Sequence, residues 1–244
     1  MTEKLPDKDT KGHLHPMTQT IREIYSLFYE LGFEVVVGPE LEYEHYNFDV
    51  LNVPSDHPSR DMQDTFWIKE APRKDNEKLG KRLLVTQTSS VQVRYMENHK
   101  PPFRTVVVGK VFRNEATDTT HEAQFHQFES LYVDKKVSLA HLKGILEHIF
   151  KKLYGDKTEI RFRPSFFPFT EPSVEVDVKW GDRWLEVVGA GLVHPHVLRA
   201  GGLNPEEWQG FAFAFGLDRM VMLKHKIDDV RRMYDGDLRF VNQF

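Results

Sequence analysis

The sequence contains no cysteine. That excludes disulfide frameworks, thiolate zinc sites and thiol nucleophiles together, and it fits a cytosolic protein. No apolar run approaches the ~18 residues that a membrane span requires. The opening residues, MTEKLPDKDTKG, lack the apolar segment of a secretory signal. These features give the expectation of a cytoplasmic protein with no membrane partner. A basic excess is missing too: 33 Lys and Arg stand against 37 Asp and Glu, a net charge of -4. A chain gripping a nucleic-acid backbone unaided would show the opposite balance, so any RNA would need a second chain or a local patch. Also absent are G-x-G-x-x-G, G-x-x-x-x-G-K-[ST] and the G-x-S-x-G nucleophile elbow. The spacing of His121 and His126 does not match the paired histidines of H-E-x-x-H.

What is present suffices for a sizeable core, with 40% hydrophobic residues and 12% aromatics over 244 positions. Residues 1–12 read as a flexible lead-in and 13–244 as one domain. Ile21, Ile24, Leu27, Phe28 and Leu31 recur at helical spacing after Pro16. FEVVV (33–37), DTFWI (64–68) and LLVT (83–86) read as short strands. The charge run between the last two, 69–82, reads as a solvated loop. TSSVQVRYMEN (88–98) suits a helix. TVVVGKVFRNE and AQFHQFESLYVD read as two strands around a loop. A helix follows from Ser138, its expected N-cap, to Leu153, with Gly155 as the stop. VEVDVKW and RWLEVVG form a hairpin about Gly181-Asp182. The end reads strand (GFAFAFG), helix (GLDRMVMLKH), helix (DDVRRMYDGDLRF). Hairpins outnumber strand–helix–strand crossovers, which gives an α+β class, an antiparallel sheet flanked by helices.

Three segments concentrate chemistry. In GKVFRNEATDTTHEAQFHQFE (109–129), Arg113 and Glu115 share a strand face, as do Gln127 and Glu129 on the returning strand. The bland alternative is an exposed face of cross-strand ion pairs. In SFFPFTEPS (165–173) two prolines hold Phe167, Phe169 and Glu171 in what should be a rigid extended loop, neither helix nor central strand. The rings are either a core plug or the walls of an apolar pocket. In GFAFAFGLDRM (210–220), Ala212 and Ala214 leave space on one face while Phe211, Phe213 and Phe215 point into a core. Arg219, in the first turn of the next helix, opposes the helix dipole. An anionic ligand would resolve that, and so would a pairing with Asp218.

In order along the chain, these segments resemble the second and third signature motifs of class II aminoacyl-tRNA synthetases, and the helix 16–31 with the strand to Pro39 resembles the first. GHLHPMTQTIREI, YNFDVLNVP, DTFW, TSSVQVRYM, RFRPSFFPFTEPS, LEVVGAGLVHP and DLRF further resemble the catalytic alpha-chain family of phenylalanyl-tRNA synthetases. The likeness covers about 12–244.

The resemblance implies the class II synthetase fold. It also implies activation of phenylalanine by ATP with Mg²⁺, then transfer to tRNA(Phe). By that likeness Arg113 and Arg219 are catalytic, on the α- and γ-phosphates. Glu115, His121 and Phe125 complete the ATP site. Gln127 and Glu129 take the substrate ammonium, with Ser89 near its carboxylate. Phe167 and Phe169 take the ring over an Ala212 floor, and Glu171 takes the metal. The implied partner is a beta subunit in a heterotetramer, or a second core in a homodimer. A non-aminoacylating paralogue acting as a binding or regulatory module is the alternative, and a related class II synthetase for another amino acid a third; a phosphorylated one would need cationic groups where Phe167 and Phe169 stand. The chain departs from the family pattern at Gln87 (often His), Ala214 (often Gly) and Asp218 (usually Glu). The family's N-terminal tRNA-binding helical hairpin is expected to be absent.

Overall fold

The computed structural model describes residues 12–60, 64–69 and 78–244. The expected lead-in, apart from Gly12, and most of the charge run 69–82 lie outside the described residues.

In chain order the elements are α1 (Pro16–Glu30), β1 (Glu34–Val35), β2 (Leu41–Tyr43), α2 (Glu44–Asn47), β3 (Arg82–Leu84), α3 (Ser90–Met96), β4 (Phe103–Phe112) and β5 (Gln124–Asp134). Then follow α4 (Leu139–Tyr154), β6 (Ile160–Phe167), β7 (Thr170–Trp180), β8 (Arg183–Val193), α5 (Pro195–Ala200), β9 (Gln209–Gly216), α6 (Leu217–His225) and α7 (Leu238–Val241). Seven strands make one sheet in the order β1-β4-β5-β9-β8-β7-β6, and β2 pairs with β3 in a second. Within the large sheet only β1 runs parallel to its neighbour, β4. The α+β expectation holds.

Alternation along β9 explains the layering. Phe211, Phe213 and Phe215 are buried on one face, with Phe28 of α1 and Phe128 of β5 packed beside them. The Phe28 and Phe128 ring centroids are 4.8 Å apart, and those of Phe128 and Phe215 4.6 Å apart. Each such ring contributes about 1.5–3 kcal/mol by leaving water. Helices α1, α4 and α6 cover this face through Ile24, Leu142, Leu146, Leu217 and Val221. His15 caps α1, its Nδ1 accepting the Met17 amide at 3.1 Å. A smaller cluster lies on the other face, at one end, built from Phe48, Leu51, Met96, Leu131 and Val197. The rest of that face is open.

Four local expectations change. SFFPFTEPS is not a loop: it is the tip of the β6–β7 hairpin and part of both strands. The prolines are tolerated because Pro168 lies in the turn between the two strands and Pro172 lies where the β7–β8 register shifts. DTFWI shrinks to a single bridge, Trp67 to Leu83. FEVVV is a strand only at Glu34–Val35. The last segment is a 3₁₀ turn, Val230–Met233, and the short α7, because Gly236 interrupts it. Ser138 does occupy the N-cap position of α4, without a capping hydrogen bond from its side chain.

Candidate active site

A row of paired residues crosses the open face of the sheet. Val107 of β4 lies opposite Glu129 of β5, Glu129 opposite Ala214 of β9, and Ala214 opposite Gly189 of β8. Gly189 lies opposite Glu175 of β7, and Glu175 opposite Arg163 of β6. The next row reads Leu131, Ala212, Gly191, Ser173, Ser165. Directly opposed residues share a face, so β8 and β9 offer only Ala and Gly in the middle of it. The sheet therefore carries a trough, a cavity of about 740 Å³.

At one wall the first turn of α3 meets β5. Glu129 is buried at 2% exposure. Its carboxylate accepts hydrogen bonds from the Thr88 hydroxyl at 2.7 Å, the Ser89 hydroxyl at 2.8 Å and the Gln92 amide. Ser89 sits at the N-cap of α3 yet makes no capping bond, because its hydroxyl serves Glu129 instead. Gln127 Oε1 accepts the Thr88 amide at 2.8 Å. All of Glu129's donors are neutral, so burial pushes its pKa up despite them. A buried carboxylate held by neutral donors in a cavity wall favours a cationic guest.

The opposite wall is aromatic. The Phe167 and Phe169 rings stack with centroids 5.8 Å apart and planes 11° from parallel. A Cβ on Gly189 would come within 3.0 Å of the Phe167 ring, so the ring lies directly on β8. Ala212 lies on the floor near them.

A third region is cationic. Arg113 lies just beyond β4, its guanidinium 5.1 Å from the Phe125 ring centroid and its Nε 3.4 Å from the Thr86 carbonyl. Burial pushes its pKa down, partly offset by Glu115 and Asp64. Arg219, in the first turn of α6, is exposed, and no described acid pairs with it. Its neighbour Asp218 is committed elsewhere, accepting the His126 amide at 2.7 Å and the Tyr234 hydroxyl. The Asp218–Arg219 pairing left open by the sequence is thus not made. The loop carrying His121 is braced by Asp118, which accepts the Thr120 and His121 amides at 2.7 and 2.8 Å. Those bonds hold the Asp118 carboxyl well below its usual range. The Val230 amide donates to the Thr119 carbonyl at 2.9 Å, pinning the same loop to the C-terminal segment.

Ser89, Arg113, Glu115, His121, Phe125, Gln127, Glu129, Phe167, Phe169, Ala212 and Arg219 all line this one cavity. The ion-pair alternative for the hairpin fails on register, since Gln127 lies opposite Gly109 and Glu129 opposite Val107. Glu171 does not line the cavity. Its exposed carboxylate lies 3.5 Å from the His194 ring. Among the described residues no group of three or more His, Cys, Asp or Glu could cage a metal ion. Mg²⁺ that arrives on a nucleotide needs no such cage, since it is usually held by one or two carboxylates together with phosphates and water.

The tRNA synthetase class II core domain (F) model matches residues 3–244. The phenylalanine–tRNA ligase alpha subunit of a Synechocystis species is 49% identical over 234 residues, covering 96% of this chain and 68% of that protein. This chain belongs to that alpha-subunit family. The Clostridium beijerinckii alpha subunit is 49% identical over 97% of the chain and 70% of the relative. For Prochlorococcus marinus the figures are 50%, 96% and 66%, so the chain spans about two thirds of such relatives. Pyrrolysyl-tRNA synthetase from Desulfitobacterium hafniense shares the fold, with a TM-score of 0.67 at 18% identity, over 90% of this chain and 73% of that one. Among the described residues no helix is long and apolar enough to cross a membrane.

Several walls of the cavity escape sequence reasoning. Asp64, Gln92, Glu122, Glu175 and Glu186 also line it. Glu175 carries a partial signal, since VEVDV alternates charged and apolar residues. Its position opposite Gly189 depends on strand pairing that no local pattern specifies.

Proposed function

We propose that this chain activates L-phenylalanine with ATP and then transfers it to tRNA(Phe), working as an alpha subunit beside a beta subunit. In the first step a carboxylate oxygen of phenylalanine attacks the α-phosphorus of ATP. The bond to the β-phosphate breaks, pyrophosphate leaves with that electron pair, and phenylalanyl-adenylate remains. Such a reaction needs little covalent help from protein, and is accelerated mainly by positioning and charge neutralisation.

The observation that carries the reading is one cavity holding a buried carboxylate, an aromatic wall and two arginines without a described acidic ion-pair partner. Glu129 and Gln127 take the ammonium, and Ser89 stands beside the carboxylate end. Phe167 and Phe169 take the phenyl ring and Ala212 limits its depth. Arg113, with Phe125 beneath it, steadies the α-phosphate, and Arg219 the γ-phosphate. Glu115 binds on the adenine side and His121 closes over the phosphates. Mg²⁺ would arrive on the ATP phosphates, with Glu171 the family-matched carboxylate offered to it.

Phenylalanine-dependent ATP–pyrophosphate exchange tests the reading, with and without a beta subunit. Folded protein that gives no exchange in either case would sink it.

A further inference from the structure

The aromatic wall hangs on a turn of three residues, Phe167, Pro168 and Phe169. Each has a backbone group tied to a different part of the molecule. The Phe167 amide donates to the Ser173 hydroxyl of β7 at 3.0 Å. The Phe169 carbonyl accepts the His194 amide, just before α5, at 2.9 Å. The Pro168 carbonyl accepts the side-chain amide of Asn52 at 2.7 Å, from a residue far away in sequence.

Asn52 does not line the cavity itself; it stands behind the turn. Its backbone is left-handed, with φ 60° and ψ 24°, a conformation that Asn adopts more readily than most residues. The residues around it are rigidly seated. Leu51 is fully buried, Val53 nearly so, and the Val53 amide bonds to the Phe48 carbonyl at 3.1 Å. His196 of α5 adds a contact to the Asp49 carbonyl at 3.2 Å. Phe169 packs against this same cluster. The segment 48–53 is thus a fixed post, and the Asn52 amide is its one arm to the turn.

We propose that Asn52 is a positioning residue for the amino-acid pocket. It holds the Pro168 peptide so that Phe167 and Phe169 keep their stacked spacing, and thereby sets the affinity for an aromatic side chain. The inference rests on the phenylalanine reading of that pocket. Ser173 and His194 act on the two ends of the turn from adjoining strands or backbone. Among the described residues Asn52 alone reaches its apex through a side chain from across the fold, so it is the tie that a substitution can cut cleanly.

Two variants of the full chain test this. Asn52→Gly keeps the left-handed backbone and loses the amide; Asn52→Asp keeps the size and loses the donor. In pyrophosphate exchange, with the beta subunit where activity needs it, both should raise KM for L-phenylalanine about tenfold, the scale of one lost hydrogen bond. KM for ATP should stay within about twofold, since that end of the cavity is untouched. Amide hydrogen exchange across residues 165–173 should quicken in both variants. Unchanged exchange there, or KM values for the two substrates rising together, would overturn the proposal. A parent chain without phenylalanine-dependent activity sinks the functional reading instead, and hydrogen exchange still decides whether Asn52 fixes the turn.

Discussion

Asp218 and Arg219 are adjacent in sequence and have opposite fates. Asp218 is buried on the His126 amide and the Tyr234 hydroxyl, while Arg219 stands exposed at the cavity with no described acid beside it. A helix with such an arginine in its first turn accepts a small electrostatic penalty there. The penalty is relieved when an anion enters.

Arg219→Ala should therefore separate function from stability. We expect pyrophosphate exchange to fall at least about a hundredfold, the scale of losing a charged contact to a phosphoryl group. Thermal unfolding should move little, because exposed substitutions usually change stability by no more than ~0.5 kcal/mol. A large fall in melting temperature with activity retained would place Arg219 in the fold and not in the chemistry.

Glu129 predicts a pH dependence. Burial raises its folded pKa above the ordinary value of 4.5. Between the unfolded and folded values the native state holds the extra proton, so this group's stabilising contribution is complete below about 4.5 and is lost as pH rises through the folded pKa. Chemical denaturation of the parent and of Glu129→Gln should show the parent losing ground to the variant over that window. L-Phenylalanine should release a proton on binding there, read by calorimetry in buffers of different ionisation heat. Glu129→Gln should abolish that release and weaken phenylalanine binding at least about a hundredfold, because the ammonium loses its counter-charge.

Gly189 and Gly191 should respond differently to alanine. A Cβ at Gly189 meets the Phe167 ring at 3.0 Å, whereas one at Gly191 meets the Pro172 carbonyl oxygen at 2.6 Å. A ring can shift and a backbone carbonyl cannot, so Gly191→Ala should be the less stable variant, by about 1–3 kcal/mol. Gly189→Ala should fold and raise KM for phenylalanine. Denaturant midpoints and exchange kinetics measure the two effects, and equal stability would contradict the packing argument.

Ala212→Gly should deepen the pocket. para-Chlorophenylalanine should then support exchange, with a loss of about 0.5–1 kcal/mol of strand stability. Unchanged selectivity among para-substituted phenylalanines would move the pocket floor elsewhere.

Much of this architecture is legible in the sequence. Phe211, Phe213 and Phe215 mark a core face by alternation alone, and Ala212 and Ala214 the space opposite. α1 and α4 follow from apolar periodicity. What stays hidden depends on distant pairing. Two prolines make 165–173 read as a loop, because nothing local says that one falls in a hairpin turn and the other at a shift of strand register. Ser89 reads as part of a helix start, but its hydroxyl is taken by a carboxylate forty residues on. Glu171 matches its motif, yet the strand that carries it leaves it exposed beside His194 and outside the cavity lining.

The trough in the sheet has one more consequence. Its floor is main chain with only methyl groups and hydrogens upon it, from Ala212, Ala214, Gly189 and Gly191. Such a surface has no rotamers to change, and its shape is locked to the hydrogen-bond ladder of β8 and β9. A guest that does not fit cannot be accommodated from below. Any adjustment on binding falls to side chains around it, such as the exposed Arg219. Selectivity in this fold then starts from a stiff base, and changes to that base alter which guests enter.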